Sequence, residues 1–128
     1  MRKAHYQRDG EPVRILVVDD EPHVLAALID LVEDERGVRV VGAALRVDDA
    51  IKLAILQRPD VVLLDVHMPG GGGQHVVAAT RNLLPDTRIF AMAALLDRDD
   101  ISTMLSAGAD MCFSKTADVT TLMRSLTP

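Results

Sequence analysis

Ile15-Leu16-Val17-Val18-Asp19-Asp20 and Val61-Val62-Leu63-Leu64-Asp65 decide the fold. Each is four branched apolar residues closed at once by carboxylates. Such a run, bounded by charge, reads as a strand buried on both faces, the habit of parallel sheets. Two strands ending this way bring Asp19, Asp20 and Asp65 to one rim, where doubly wound sheets place their ligands. Three crowded carboxylates repel one another. They call for a divalent cation or a shifted pKa.

Outward from these runs the chain alternates strand and helix. Arg14–Asp19 is the first strand. Pro22 fits a first helical turn, and Val24, Leu25, Leu28, Ile29 and Val32 form an apolar stripe that stops at Gly37. Val38–Ala44 reads as a strand. Ala50, Ile51, Ala54 and Ile55 follow at helical spacing, ending before Pro59. After the third strand, Val61–Leu64, the run Met68-Pro69-Gly70-Gly71-Gly72-Gly73 predicts a loop, with a helix from about Gln74 to Leu84. Arg88–Ala93 is strand four. The acidic Asp97–Asp100 suits the start of a helix running to Gly108. Met111–Ser114 is strand five and Asp118–Leu126 a last helix. Five βα units with short connections imply a single α/β domain, a parallel sheet with helices on both faces.

Composition narrows the function. The chain has 128 residues, 48% of them hydrophobic, enough for one packed core. A net charge of −5 argues against direct nucleic-acid binding by this domain. One cysteine, Cys112, excludes an internal disulfide and suits a reducing cytoplasm. Met1–Glu11 is polar, so no secretory signal is expected, and Ile89–Leu96, the longest apolar stretch, is too short to span a bilayer. Residues 1–12 are expected to form a flexible tail ahead of the domain at 13–128.

Competing roles exist for each residue. Asp19, Asp20 and Glu21 before Pro22 are also good helix caps. Lys115 alone would pass for a solvated lysine. His23, His67 and His75 lack the spacing of a zinc site and are expected at the surface. Met92, Met104, Met111 and Met123 are expected in the core, and so is Cys112. The glycines are not followed by Gly-Lys-Ser/Thr, which argues against a phosphate-cradling loop.

Val18-Asp19-Asp20-Glu21-Pro22, Pro59-Asp60-Val61-Val62-Leu63-Leu64-Asp65-Val66-His67-Met68-Pro69-Gly70, Ala107-Gly108-Ala109-Asp110 and Lys115 together resemble the receiver domain of two-component response regulators, most closely receivers that precede a LuxR-type DNA-binding domain. The resemblance covers Arg14 to Leu126. It implies a flavodoxin-like (βα)5 fold with strand order 2-1-3-4-5. It makes Asp65 the phosphoacceptor, taking a phosphoryl group from a phosphohistidine on a sensor histidine kinase. Asp20, Asp65 and the backbone carbonyl of His67 would bind Mg2+, Asp19 would hold a metal-bound water, and Lys115 would contact the phosphoryl group. Pro69 would shape the loop. A homodimer and an output domain outside this chain are the other expected partners, in the cytoplasm. No substrate turnover is expected.

Two positions depart from the family. The hydroxyl that ends strand four falls on Ala93, 22 residues before Lys115, and no Ser or Thr lies between Ile89 and Ile101. The strand-five aromatic falls on Cys112. Phe113 is next to it, but alternation puts it on the opposite face. Phosphate acceptance with weak coupling, or coupling by another route, is therefore expected. A pseudo-receiver that works only through its surface is the alternative. A phosphatase of the haloacid dehalogenase type is disfavoured, because Asp19 and Asp20 are adjacent rather than two apart.

Overall fold

The computed structural model describes residues 10–115 and Arg124. The expected helix at Asp118–Leu126, and Met123 within it, lie outside the described residues apart from Arg124. The elements are β1 (Val13–Val18), α1 (Pro22–Glu33), β2 (Val38–Ala44), α2 (Val47–Gln57), β3 (Val61–Asp65), a 3-10 turn (Pro69–Gly71), α3 (Gly72–Leu83), β4 (Arg88–Ala93), α4 (Arg98–Ala107) and β5 (Met111–Ser114). The strands pair in parallel in the order β2-β1-β3-β4-β5, as expected.

Each face of the sheet has its own core. On one, Ile15, Val17, Leu63, Phe90 and Met92 meet Leu25, Leu28 and Val32 of α1. On the other, Leu16, Val18, Leu64, Ala91 and Ala93 meet Ala50 and Ala54 of α2, Val76 and Val77 of α3 and Met104 of α4. This two-sided burial is why β1 and β3 are written as continuous apolar runs rather than as alternating ones. Cys112 packs against the second core and Phe113 against the first, where its ring meets Phe90 edge-on at 5.7 Å.

Local signals explain most boundaries. Pro22 opens α1, and the Glu21 carboxylate caps it by accepting from the His23 N–H at 2.9 Å. Asp97 caps α4 by accepting from the Asp100 N–H at 2.8 Å. The glycine run differs from expectation. Gly70 and Gly71, with φ of 66° and 72°, make the turn, but Gly72 and Gly73 are the first residues of α3. A Cβ on Gly73 would lie 2.5 Å from the Val66 carbonyl oxygen. The helix starts there because only glycine lets it pass so close to the loop after β3.

Ile55, at helical spacing, is 51% exposed; the buried residues of α2 are Ala50 and Ala54. Two core assignments are corrected. Met111 is 37% exposed, at the start of the edge strand β5. Cys112, on the same edge strand, is half-buried rather than buried. His23, His67 and His75 are exposed, as expected.

Candidate functional site: a carboxylate trio with a lysine

The carboxyl ends of β1 and β3 are neighbours in the sheet, so the residues that follow them converge. One carboxylate oxygen from each of Asp19, Asp20 and Asp65 lies within 4.8 Å of the others. Because Glu21 caps α1, Asp19 and Asp20 are left for the site. Asp19 has no solvent exposure, and its oxygens accept from the Glu21 N–H at 3.0 Å and the Lys115 ammonium at 2.6 Å. Asp20 is exposed, so the trio opens to solvent on its side.

Asp65 ends β3 and is 6% exposed. Its Oδ1 accepts from the His67 N–H at 3.2 Å and lies 3.4 Å from Lys115 Nζ. Burial pushes the Asp65 carboxyl above the ordinary aspartate value. The His67 N–H and Lys115 pull it back, and the nearby Asp19 charge adds to the rise. Lys115 directly follows β5 and reaches across β4, and its own N–H is bonded to the Ala93 carbonyl at 2.8 Å. The sequence expectations for Asp19, Asp20, Asp65 and Lys115 thus meet at one point.

Ala93 is fully buried at the end of β4, on the sheet face opposite Phe90 and Met92. Its methyl group can neither donate nor accept a hydrogen bond. The β4–β5 register is unbroken through Ala91–Cys112 and Met92–Phe113. No bulge turns Phe113 to the Cys112 face. Sequence reading missed Asp100, whose carboxylate lies 3.2 Å from His67 Nε2. Both are ordinary surface residue types, and no sequence spacing marks the pair.

The trio offers hard oxygen donors, one of them exposed, with a balancing lysine alongside. Such a donor set fits Mg2+, which takes one or two carboxylates and keeps several waters. Beside Asp20, the residues Leu45, Arg46, Met68 and Pro69 help line a cleft of about 240 Å³. Larger cavities of about 320 and 600 Å³ lie at the opposite, amino-terminal edge of the sheet around Arg14. Charge rather than size therefore locates the site. Among the described residues, no helix is long and apolar enough to cross a membrane.

Known proteins agree with this geometry. The family model "Response regulator receiver domain" matches residues 15–127. The response regulator GacA of Pseudomonas aeruginosa is 34% identical over 117 residues, covering 89% of this chain and 53% of GacA. The receiver domain of a putative response regulator NarL from Mycobacterium tuberculosis superposes with a TM-score of 0.82 at 33% identity, covering 90% of this chain and 93% of that one. A Burkholderia pseudomallei response regulator, solved with a phosphorylated aspartic acid, calcium ion and citrate, gives a TM-score of 0.76 at 27% identity, covering 89% of this chain and 66% of that one. This chain spans about half the length of curated relatives such as GacA. With a parallel sheet in the order 2-1-3-4-5 and a carboxylate trio beside a lysine at its carboxyl edge, the chain belongs to the response regulator receiver domain family.

Proposed function

We propose that Asp65 is the phosphoacceptor and that Asp19, Asp20, His67 and Lys115 equip it. One observation carries this: the Asp65 carboxylate sits among Asp19, Asp20 and Lys115 at the sheet edge, with Oδ1 held by the His67 N–H and the ammonium. In phosphoryl transfer the protein's part is positioning and charge neutralisation. The Asp65 carboxylate attacks the phosphorus of a phosphohistidine on a sensor kinase. The N–P bond breaks, and an acyl phosphate remains on Asp65. The His67 N–H and the β3 strand end fix the attacking carboxylate. Lys115, already 3.4 Å away, meets charge on the transferred group.

Asp20, Asp65 and the His67 carbonyl would hold Mg2+, with Asp19 supporting a bound water. When bound, the cation neutralises phosphoryl oxygens. The phosphorylated aspartate named for the Burkholderia relative supports the assignment by analogy. The partners are a kinase, a second copy of the chain and an output domain of LuxR type, all in the cytoplasm, and the chain turns over no separate substrate. Incubation with acetyl phosphate and Mg2+ should add one phosphoryl group by intact mass. Asp65→Asn and EDTA should each abolish the gain. Persistence of the gain in Asp65→Asn would sink the assignment. No gain in the unmodified chain, from acetyl phosphate or a kinase, would favour a pseudo-receiver, a reading that the methyl group at Ala93 supports.

A further inference from the structure

A switch needs a contact that differs between its two states. At Ala93 the side chain offers none, because a buried methyl group cannot bind a phosphoryl oxygen. One residue does connect the acceptor to α4. His67 donates its backbone N–H to Asp65 Oδ1 at 3.2 Å, and its ring Nε2 is 3.2 Å from Asp100 Oδ2. Asp100 lies in the first turn of α4, its own N–H bonded to the Asp97 cap at 2.8 Å. A continuous set of polar contacts therefore runs from Asp65 to the start of α4.

The helix at the far end is lightly held. Over its ten residues only Met104 is buried, and Leu105 is 45% exposed. Few buried contacts make a segment easy to shift. Asp100 is also near enough to β5 for its charge to be, after burial, the second cause that pushes the Cys112 thiol above its ordinary value. Cys112 is paired with Ala91 and packs on the same sheet face as Ala93.

We propose that His67 and Asp100 relay the state of Asp65 to α4 and β5, in place of the hydroxyl that Ala93 lacks. This rests on Asp65 being the acceptor. Phosphorylation removes the charge from the carboxylate and places about two negative charges on outer oxygens. The His67 N–H loses its charged acceptor and must pair anew. The peptide carrying the ring shifts, and the ring's contact with Asp100 changes with it. A charged acceptor for the His67 N–H in one state, and its loss in the other, supplies the differential contact.

The test uses the isotope-labelled chain with Mg2+ and beryllofluoride, which mimics the phosphoryl group. Fluorine NMR reads occupancy at Asp65, and amide shifts read α4 and β5. In the unmodified chain, the Arg98–Ala107 amides should shift on binding. In Asp100→Ala the bound-fluoride signal should remain while the α4 and β5 shifts fall to less than half. Asp99→Ala removes a neighbouring first-turn acid that is not the His67 partner, so it should keep the response and separates relay from simple loss of helix charge. His67→Ala, compared at saturation, should match Asp100→Ala. Adding Ala93→Thr to Asp100→Ala should bring the shifts back. Equal α4 shifts in Asp100→Ala and the unmodified chain would overturn the relay. So would bound fluoride with no α4 response in the unmodified chain. Absence of any bound-fluoride signal in the unmodified chain would instead refute Asp65 as acceptor, and the relay would fall with it.

Discussion

Replacing Lys115 by alanine in the cation-free chain should cost about 3–5 kcal/mol of stability, the usual loss when one partner of a buried ion pair is removed. Lys115 Nζ lies 2.6 Å from Asp19 Oδ2 and 3.4 Å from Asp65 Oδ1. At an effective dielectric of about 20, these attractions are worth about 6 and about 5 kcal/mol before desolvation is counted. Holding the lysine, whose side chain is 16% exposed, offsets part of that gain. Its removal leaves Asp19, with no solvent exposure, facing Asp65 without a counter-charge. Proton uptake by Asp65 limits the damage, which is why the loss should not approach the gross attraction. Urea unfolding at neutral pH in EDTA measures it. Adding Asp19→Asn should recover about half or more of the loss, since the stranded charge is gone. Mg2+ should stabilise Lys115→Ala more than the unmodified chain, because no ammonium then opposes the cation. A loss below about 1 kcal/mol, or no recovery in the double variant, would refute the view that Lys115 holds the trio together.

Three further outcomes follow from the same geometry. Asp65 has its carboxyl raised above 3.8, so its ionised form costs stability at neutral pH, a cost absent below 3.8 and growing as pH rises through the folded value. Asp65→Asn should therefore raise the melting temperature of the cation-free chain at about pH 7, with the gain shrinking toward about pH 4; a gain independent of pH contradicts this. Gly73→Ala would place a Cβ 2.5 Å from the Val66 carbonyl oxygen and 2.8 Å from that of Asp65. Backbone strain of about 1–3 kcal/mol should outweigh the roughly 1 kcal/mol gained in helix propensity, lowering stability and slowing phosphorylation; a more stable variant contradicts it. Arg81→Met should cost about 2–4 kcal/mol in urea unfolding, because the guanidinium donates to the carbonyls of Gly108, Pro85 and Thr87 and to Asp110 at 2.7–3.0 Å. A loss below about 1 kcal/mol would show those bonds to be replaced by water.

The strands and the trio were legible because burial on both sheet faces forces continuous apolar runs, and charge must end them where the chain leaves the core. Strand order came with the family resemblance rather than from the residues. The glycine run misled for a physical reason. Glycine breaks a solvated helix, but at Gly73 it is what lets α3 begin against the Val66 carbonyl. That close approach is a tertiary fact with no local signature. Helical spacing alone does not say which side of α2 is buried: Ile51 and Ile55 share that spacing, yet the buried residues are the alanines at 50 and 54.

Distances add what residue types could not. The resemblance places Lys115 beside Asp65, but the structure divides it unequally, 2.6 Å from Asp19 and 3.4 Å from Asp65. In the unphosphorylated state Lys115 thus leans on the buried carboxylate that has no other cation among the described residues. A phosphoryl group on Asp65 brings about two negative charges within its reach, while Asp19 can be compensated only by a bound cation once the ammonium turns away. Under the proposed assignment, lysine movement and metal occupancy would therefore be coupled: a cation beside Asp19 would free Lys115 for the phosphoryl group. On the same assignment, Lys115 would have to loosen its 2.6 Å contact with the fully buried Asp19 to turn toward a phosphoryl group on Asp65, and a bound cation would ease that exchange.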